Sequence, residues 1–200
     1  MALLPDVGTD SGSTRASWRR LAFFVALIVF AALCFAAMTV PWYGTEARRA
    51  VIGREMLASL DFVVPTHGGE YTLAKPPFFY ALEAAAMSFF GETLFASRVP
   101  NLVLFAILAI FFVVAGRAFG RRRGAYATVG AMLVLVHPLL GQFAASAELD
   151  GSFAIFITLS LFALCRAAQL GNDGLMFTVI SGACAGVANV IKGPVCLIFL

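Results

Sequence analysis

Six ionisable residues stand beside apolar runs at places that suit group transfer at a membrane surface: Glu46, Asp150, Lys75, Lys192, Arg48 and Arg54. Glu46 follows an apolar run closed by Pro41-Trp42-Tyr43, and Asp150 opens another run. Two carboxylates held at one depth by separate helices suit general-base work, acceptor orientation or binding of a divalent cation. Lys75 and Lys192 carry ammonium groups that hold phosphate as point charges. Each has a structural alternative, since an acid at a helix start stabilises the dipole and interfacial lysines snorkel. Arg48 and Arg54 either contact a substrate or pair with Glu55 and Asp61. Cys34, Cys165, Cys184 and Cys196 lie inside apolar runs without CxxC or Cys/His spacing and read as buried small hydrophobes.

The elements that must position these groups are membrane helices. Of 200 residues, 61% are hydrophobic and 12% charged, and the mean hydropathy is +0.92. Ordinary soluble domains are about half apolar and about a quarter charged. Such a chain has more apolar surface than a core of its size could hide. Its runs reach the roughly 20 residues that cross a bilayer as helix, and the alternating strands of a barrel are missing. The fold class is therefore all-α and polytopic. The net charge of +3 comes from dispersed basic residues at span ends, which excludes a nucleic-acid footprint.

Residues 1–17 are polar and read as a disordered cytoplasmic N-terminus. Spans are predicted at about 21–40, 98–115, 125–143, 153–166 and 175–191, with the start of a sixth from 194. The unfinished sixth span reads as part of a larger machine or as a clipped chain. The basic residues Arg15, Arg19, Arg20, Arg117, Arg121 to Arg123 and Arg166 then fall on one side, the cytoplasmic side by the positive-inside rule. The long loop 41–96, the link at 144–152 and Lys192 fall on the extracytoplasmic side.

Loop 41–96 holds two helices. Ala47, Ala50, Val51, Met56, Leu57 and Leu60 recur at helical spacing after Thr45, a fitting N-cap, with Glu46 at the positive end of the dipole. A second helix runs from Phe78 to Phe90, opened by Pro76-Pro77 and stopped by Gly91. A Gly-rich turn, Thr66-His67-Gly68-Gly69, separates them, and its His67 reads as solvated. Both helices are expected to lie in the interface plane as a platform for the polar residues.

The stretch Thr45-Glu46-Ala47-Arg48-Arg49, Arg54-Glu55-Met56-Leu57, Asp61-Phe62-Val63-Val64-Pro65, Gly69 to Leu73 and Lys75-Pro76-Pro77-Phe78-Phe79-Tyr80 resembles a known first outer loop. The likeness is to the protein O-mannosyltransferase and aminoarabinose-transferase superfamily, membrane glycosyltransferases of the GT-C class. Phe90-Gly91, Ala96-Ser97-Arg98-Val99-Pro100, Glu148-Leu149-Asp150 and Ile191-Lys192-Gly193 follow in the family's order, so the resemblance covers about residues 40–194. It implies transfer of a hexose or pentose from a polyprenyl-phosphate carrier to a lipid, glycan or protein acceptor on the outer face of a bacterial inner membrane, with inversion at the anomeric carbon. It also implies that Lys75 meets the carrier phosphate and that Lys192 lies near the substrate cavity. The family's leading Asp is matched by Thr45, which passes the acid role to Glu46 or to Asp150. No organic cofactor is required, because the phosphate-linked sugar is already activated. The competing readings are a lipid or solute transporter, which needs midplane charges or broken spans, and a non-catalytic scaffold, which suits a blander loop.

Overall fold

The computed structural model describes residues 11–118 and 137–198, and there the chain is nearly all helical. Seven α-helices follow one another among these residues: α1 Ser11–Thr39, α2 Glu46–Ser59, α3 Phe78–Phe90, α4 Leu94–Ala118, α5 Pro138–Ala144, α6 Leu149–Leu170 and α7 Leu175–Lys192. Short 3-10 turns occupy Gly171–Gly174 and Pro194–Ile198. The Gly-rich turn is the tip of a two-residue antiparallel pair, β1 (Thr66–His67) against β2 (Glu70–Tyr71). Gly68 and Gly69 take φ of 66° and 82°, the left-handed values that a tight hairpin turn demands.

Several boundaries depart from the sequence reading. α1 begins at Ser11, so positions 11–17 are helical where a disordered segment was expected. Extending a helix costs little once it is nucleated, and Pro41 ends this one by restricting the residue before it. α4 begins at Leu94, ahead of the expected entry at Arg98, because the Thr93 hydroxyl accepts the Ala96 amide at 3.1 Å. Positions 1–10, Arg121 to Arg123 and most of the expected third span at 125–143 lie outside the described residues.

Packing follows from small residues and apolar faces. Ile52 and Met56 of α2 bury against Tyr80 and Ala84 of α3. Gly53 permits this approach, since a Cβ there would lie 3.0 Å from the Glu83 Cβ and 3.3 Å from the Tyr80 carbonyl oxygen. α6 and α7 form an antiparallel hairpin in which Ser160 and Ser181 each donate a hydroxyl to the other's carbonyl at 2.9 Å. Phe79 of α3 joins Leu149, Phe153 and Ile157 of α6 and Ala188 and Ile191 of α7 in one buried cluster. Phe105 and Leu108 of α4 pack with Ala144 and Ile155 in another. Two stretches, Leu94–Phe112 and Leu149–Lys192, are long and apolar enough to cross a membrane by length and composition, while Phe24–Thr39 and Phe78–Phe90 are shorter apolar helices.

Candidate active site

Glu46 opens α2, yet it does not face outward. Its side chain is fully buried and pairs with Arg98 of α4, itself 1% exposed. Arg98 donates through Nη2 to Oε2 at 2.7 Å and through Nε to Oε1 at 3.2 Å. The Tyr43 amide donates to Oε2 at 2.8 Å and the Ala147 amide to Oε1 at 2.6 Å. The remaining guanidinium hydrogens go to the carbonyls of Ala37, Val40 and Pro41. The carboxylate is thus saturated by donors from three chain segments, and its geometry is that of a lock.

Thr45 occupies the N-cap position of α2, but its side chain makes no capping bond. Its hydroxyl and amide instead donate to Oε1 of Glu148, at 3.3 and 3.2 Å. Arg49, one helical turn on, donates Nη1 to Oε2 of the same carboxylate and to the Ala147 carbonyl at 3.1 Å. Gly44 leaves room for this approach, since a Cβ there would lie 3.0 Å from Glu148 Oε1. Asn101 of α4 anchors the segment from behind, donating Nδ2 to the carbonyls of Ser146 at 2.7 Å and Glu148 at 2.8 Å, while its Oδ1 accepts the Ser152 hydroxyl.

Asp150, in the first turn of α6, accepts a hydrogen bond from Lys192 Nζ, in the last turn of α7. The pair is partly open, with Lys192 29% and Asp150 44% exposed, and the ammonium lies 5.4 Å from the centre of the Phe153 ring. Lys75 is exposed and makes no hydrogen bond or ion pair among the described residues. Its loop is tethered by Phe79, buried beside Leu149 and Ile191, the neighbours of Asp150 and Lys192. One apolar cluster therefore anchors the chain segments that carry Lys75, Asp150 and Lys192.

The arginines divide. Arg48 is exposed on α2. Arg54 lies 4.0 Å from Glu92 rather than against Glu55 or Asp61, at a groove of about 220 Å³ shared with Trp42 and Met87. Glu55 is occupied by the hairpin, accepting from the Thr66 hydroxyl at 2.6 Å and the Gly68 and Gly69 amides at 2.7 and 3.3 Å. These bonds hold its carboxyl below the usual range, the Thr66 hydroxyl most of all. Asp61 is likewise lowered by the Val63 and Val64 amides it accepts. Glu83 of α3 is the opposite case. It is fully buried, and neither carboxyl oxygen has a hydrogen-bond partner among the described residues. Burial pushes its pKa well above the ordinary carboxylate value. Among the described residues no group of three or more His, Cys, Asp or Glu is placed to hold a metal ion.

Residues 74–200 match the family model described as dolichyl-phosphate-mannose-protein mannosyltransferase. The chain belongs to this family. Among curated members, an undecaprenyl phosphate-alpha-4-amino-4-deoxy-L-arabinose arabinosyl transferase 2 of Pseudomonas fluorescens is 29% identical over 94% of the chain and 33% of its own length. A Shewanella sediminis arabinosyl transferase of the same description is 32% identical over 76% of the chain and 28% of its own length. The chain spans about a third or less of the curated relatives it matches. The crystal structure of ArnT from Cupriavidus metallidurans bound to undecaprenyl phosphate superposes with a TM-score of 0.75, at 25% identity, over 91% of the chain and 34% of that protein. The apo form gives a TM-score of 0.76 at 24% identity, over 92% of the chain and 34% of that protein. The resemblance read from the loop motifs thus holds at the level of the mannosyltransferase family.

Within this mannosyltransferase-family chain, sequence reasoning missed the partners of Glu46 and one further acid, Glu148. Arg98 read as the edge of a span, Arg49 as an outward charge and Glu148 as part of a short acidic link. A signal for Arg98 was present, because an arginine inside an apolar helix needs a buried counter-charge. Nothing local marked Asn101 or the close approach of Thr45 and Glu148, which lie 103 positions apart.

Proposed function

We propose that the chain forms the carrier-binding face of an integral-membrane glycosyltransferase that moves a sugar from a polyprenyl-phosphate carrier to an acceptor on the extracytoplasmic side of the inner membrane. The observation that carries this reading is the apolar cluster of Phe79, Leu149 and Ile191, which anchors the segments of Lys75, Asp150 and Lys192 together. Family membership and a solved neighbour that holds undecaprenyl phosphate support the same donor class.

Lys75 and Lys192 bind the carrier phosphate, and Asp150 holds Lys192 in place until the phosphate arrives. As the glycosidic bond breaks, negative charge gathers on that phosphate, and cations that bind it more tightly at that moment lower the barrier. Arg48, exposed on the same loop, is a further headgroup contact, and Arg54 with Glu92 lines a groove wide enough for part of an acceptor. The chain sits in the bilayer as a polytopic protein with its N-terminus in the cytoplasm. The exposed apolar side chains of α1, α4 and α7, among them Ile28, Phe35, Ile110, Met176 and Val179, support that placement. α2 and α3 then lie at the outer interface.

The test is turnover of an undecaprenyl-phosphate sugar by the intact protein in membranes, with mass spectrometry of envelope lipids and glycans from cells with and without the gene. Lys75→Ala and Lys192→Ala should each raise KM for the donor and lower kcat. Normal turnover by a folded Lys75→Ala protein would sink the reading.

A further inference from the structure

The geometry points to Glu148 as the carboxylate that takes the acceptor's proton, an inference that rests on the transferase reading above. Two other acids precede it as candidates, and each is in the wrong place. Glu46 is fully buried and saturated by Arg98, Tyr43 and Ala147, so no acceptor reaches it. Asp150 is accessible, but it lies on Lys192, the cation assigned to the phosphate. In a direct displacement the nucleophile enters opposite the leaving group. The base therefore stands across the sugar from the cations.

Glu148 turns away from Lys192, as that placement asks. It is two residues before Asp150 at the start of α6, and side chains two apart at a helix start do not share a face. Asp150 turns to α7 and Lys192, while Glu148 turns to α2, Thr45 and Arg49. Glu148 is the N-cap residue of α6, yet its carboxylate makes no capping bond to its own helix. It reaches across to Thr45 instead, over a glycine at φ 58° that leaves it space. Its side chain is 16% exposed, against 0% for Glu46. Arg49, also on its Oε2, fixes the carboxylate's direction.

A lone pair on the acceptor oxygen forms the bond to the anomeric carbon. The bond from that carbon to the carrier phosphate oxygen breaks, and its electron pair stays on the phosphate. The acceptor's proton passes to the Glu148 carboxylate and from there to water.

The experiment uses the intact protein in membranes with an undecaprenyl-phosphate sugar as donor. Glu148→Gln keeps the size of the side chain and one acceptor oxygen but cannot take a proton. Its kcat should fall at least about 100-fold, the low end of general-base contributions, with KM for the donor little changed. Sodium azide is a nucleophile that carries no proton to remove, so it should restore donor consumption in Glu148→Gln and yield the glycosyl azide. The double variant Thr45→Asp with Glu148→Gln puts a carboxylate near the same point, since the Thr45 hydroxyl is 3.3 Å from Glu148 Oε1, and it should recover at least tenfold over Glu148→Gln. Turnover by Glu148→Gln close to that of the parent protein overturns the inference. So does a loss of turnover that tracks a lowered melting temperature and that azide does not repair, because that is the behaviour of a tether. Inactivity of the parent protein on every polyprenyl-phosphate sugar overturns the transferase reading and this inference together, whereas an active parent with an active Glu148→Gln overturns this one alone.

Discussion

Replacing Glu46 separates a lock from a catalyst. The carboxylate accepts from Arg98 Nη2 at 2.7 Å, Arg98 Nε at 3.2 Å, Tyr43 N at 2.8 Å and Ala147 N at 2.6 Å. In Glu46→Ala the guanidinium stays buried with only the carbonyls of Ala37, Val40 and Pro41 for company, and two amides lose their acceptor. Breaking a buried ion pair by removing one partner costs about 3–5 kcal/mol. At roughly 2–4 °C per kcal/mol for a domain of this size, the melting temperature should drop by roughly 6–20 °C. Glu46→Gln keeps the volume and one acceptor oxygen, and should lose about 1.5–3 kcal/mol, the worth of one hydrogen bond to a charged group. Glu46→Met with Arg98→Met should be more stable than either single change, because it leaves no orphaned charge. Thermal unfolding of the purified protein in detergent, followed beside donor turnover, reads all of these. A Glu46→Gln protein with an unchanged melting temperature and abolished turnover would refute the lock and return Glu46 to the chemistry.

The other expectations concern the same loop and the hairpin it rests on. Glu83→Met should stabilise the protein by about 1–3 kcal/mol at pH 8, by removing a buried carboxyl that has no partner among the described residues. Its folded pKa is raised, so the fold binds the proton more tightly than the unfolded chain does. Stability is therefore lost as pH rises above the unfolded value of 4.5, and the advantage of Glu83→Met should shrink toward pH 4 in denaturation curves. Glu55 has the opposite sign. Its folded pKa is lowered, so its grip on the hairpin is present above the unfolded value of 4.5 and fades as pH falls through the lower folded one; the protection factors of the Gly68 and Gly69 amides against hydrogen exchange should drop there, and unchanged protection would count against these bonds. Gly174→Ala would put a Cβ 2.5 Å from the Ala167 carbonyl oxygen, so the α6–α7 hairpin should lose about 1–3 kcal/mol, read as a lower unfolding midpoint.

Much of the framework was legible because it rests on local rules. The bounds of α2 and α3 followed from apolar spacing, from Pro76-Pro77 and from Gly91, and the hairpin turn from paired glycines. Burial was legible only as an average. Glu46 was read as a headgroup-depth acid because it follows an aromatic belt, and nothing within its own helix says that Arg98, 52 positions away, will pull it inside. Thr45 fitted an N-cap by type, but its hydroxyl took the stronger acceptor that tertiary packing offered. The Asp150–Lys192 pair was legible because the two residues open and close consecutive apolar runs joined by a short turn, and an antiparallel hairpin brings those two ends together.

The Arg98–Glu46 pair also bears on how such a chain is built. An arginine in the opening turns of an apolar helix resists entry into lipid, at about 2.5–3.5 kcal/mol for a charged residue at a helix centre. During synthesis Glu46 and the carbonyls of Ala37, Val40 and Pro41 have already emerged when Arg98 leaves the ribosome, so its counter-charge is waiting. The Ala147 amide arrives much later and completes the set. The carboxylate therefore ties three segments that follow one another along the chain: the end of the first loop's entry at Tyr43, the opening of α4 at Arg98 and the residues before α6 at Ala147.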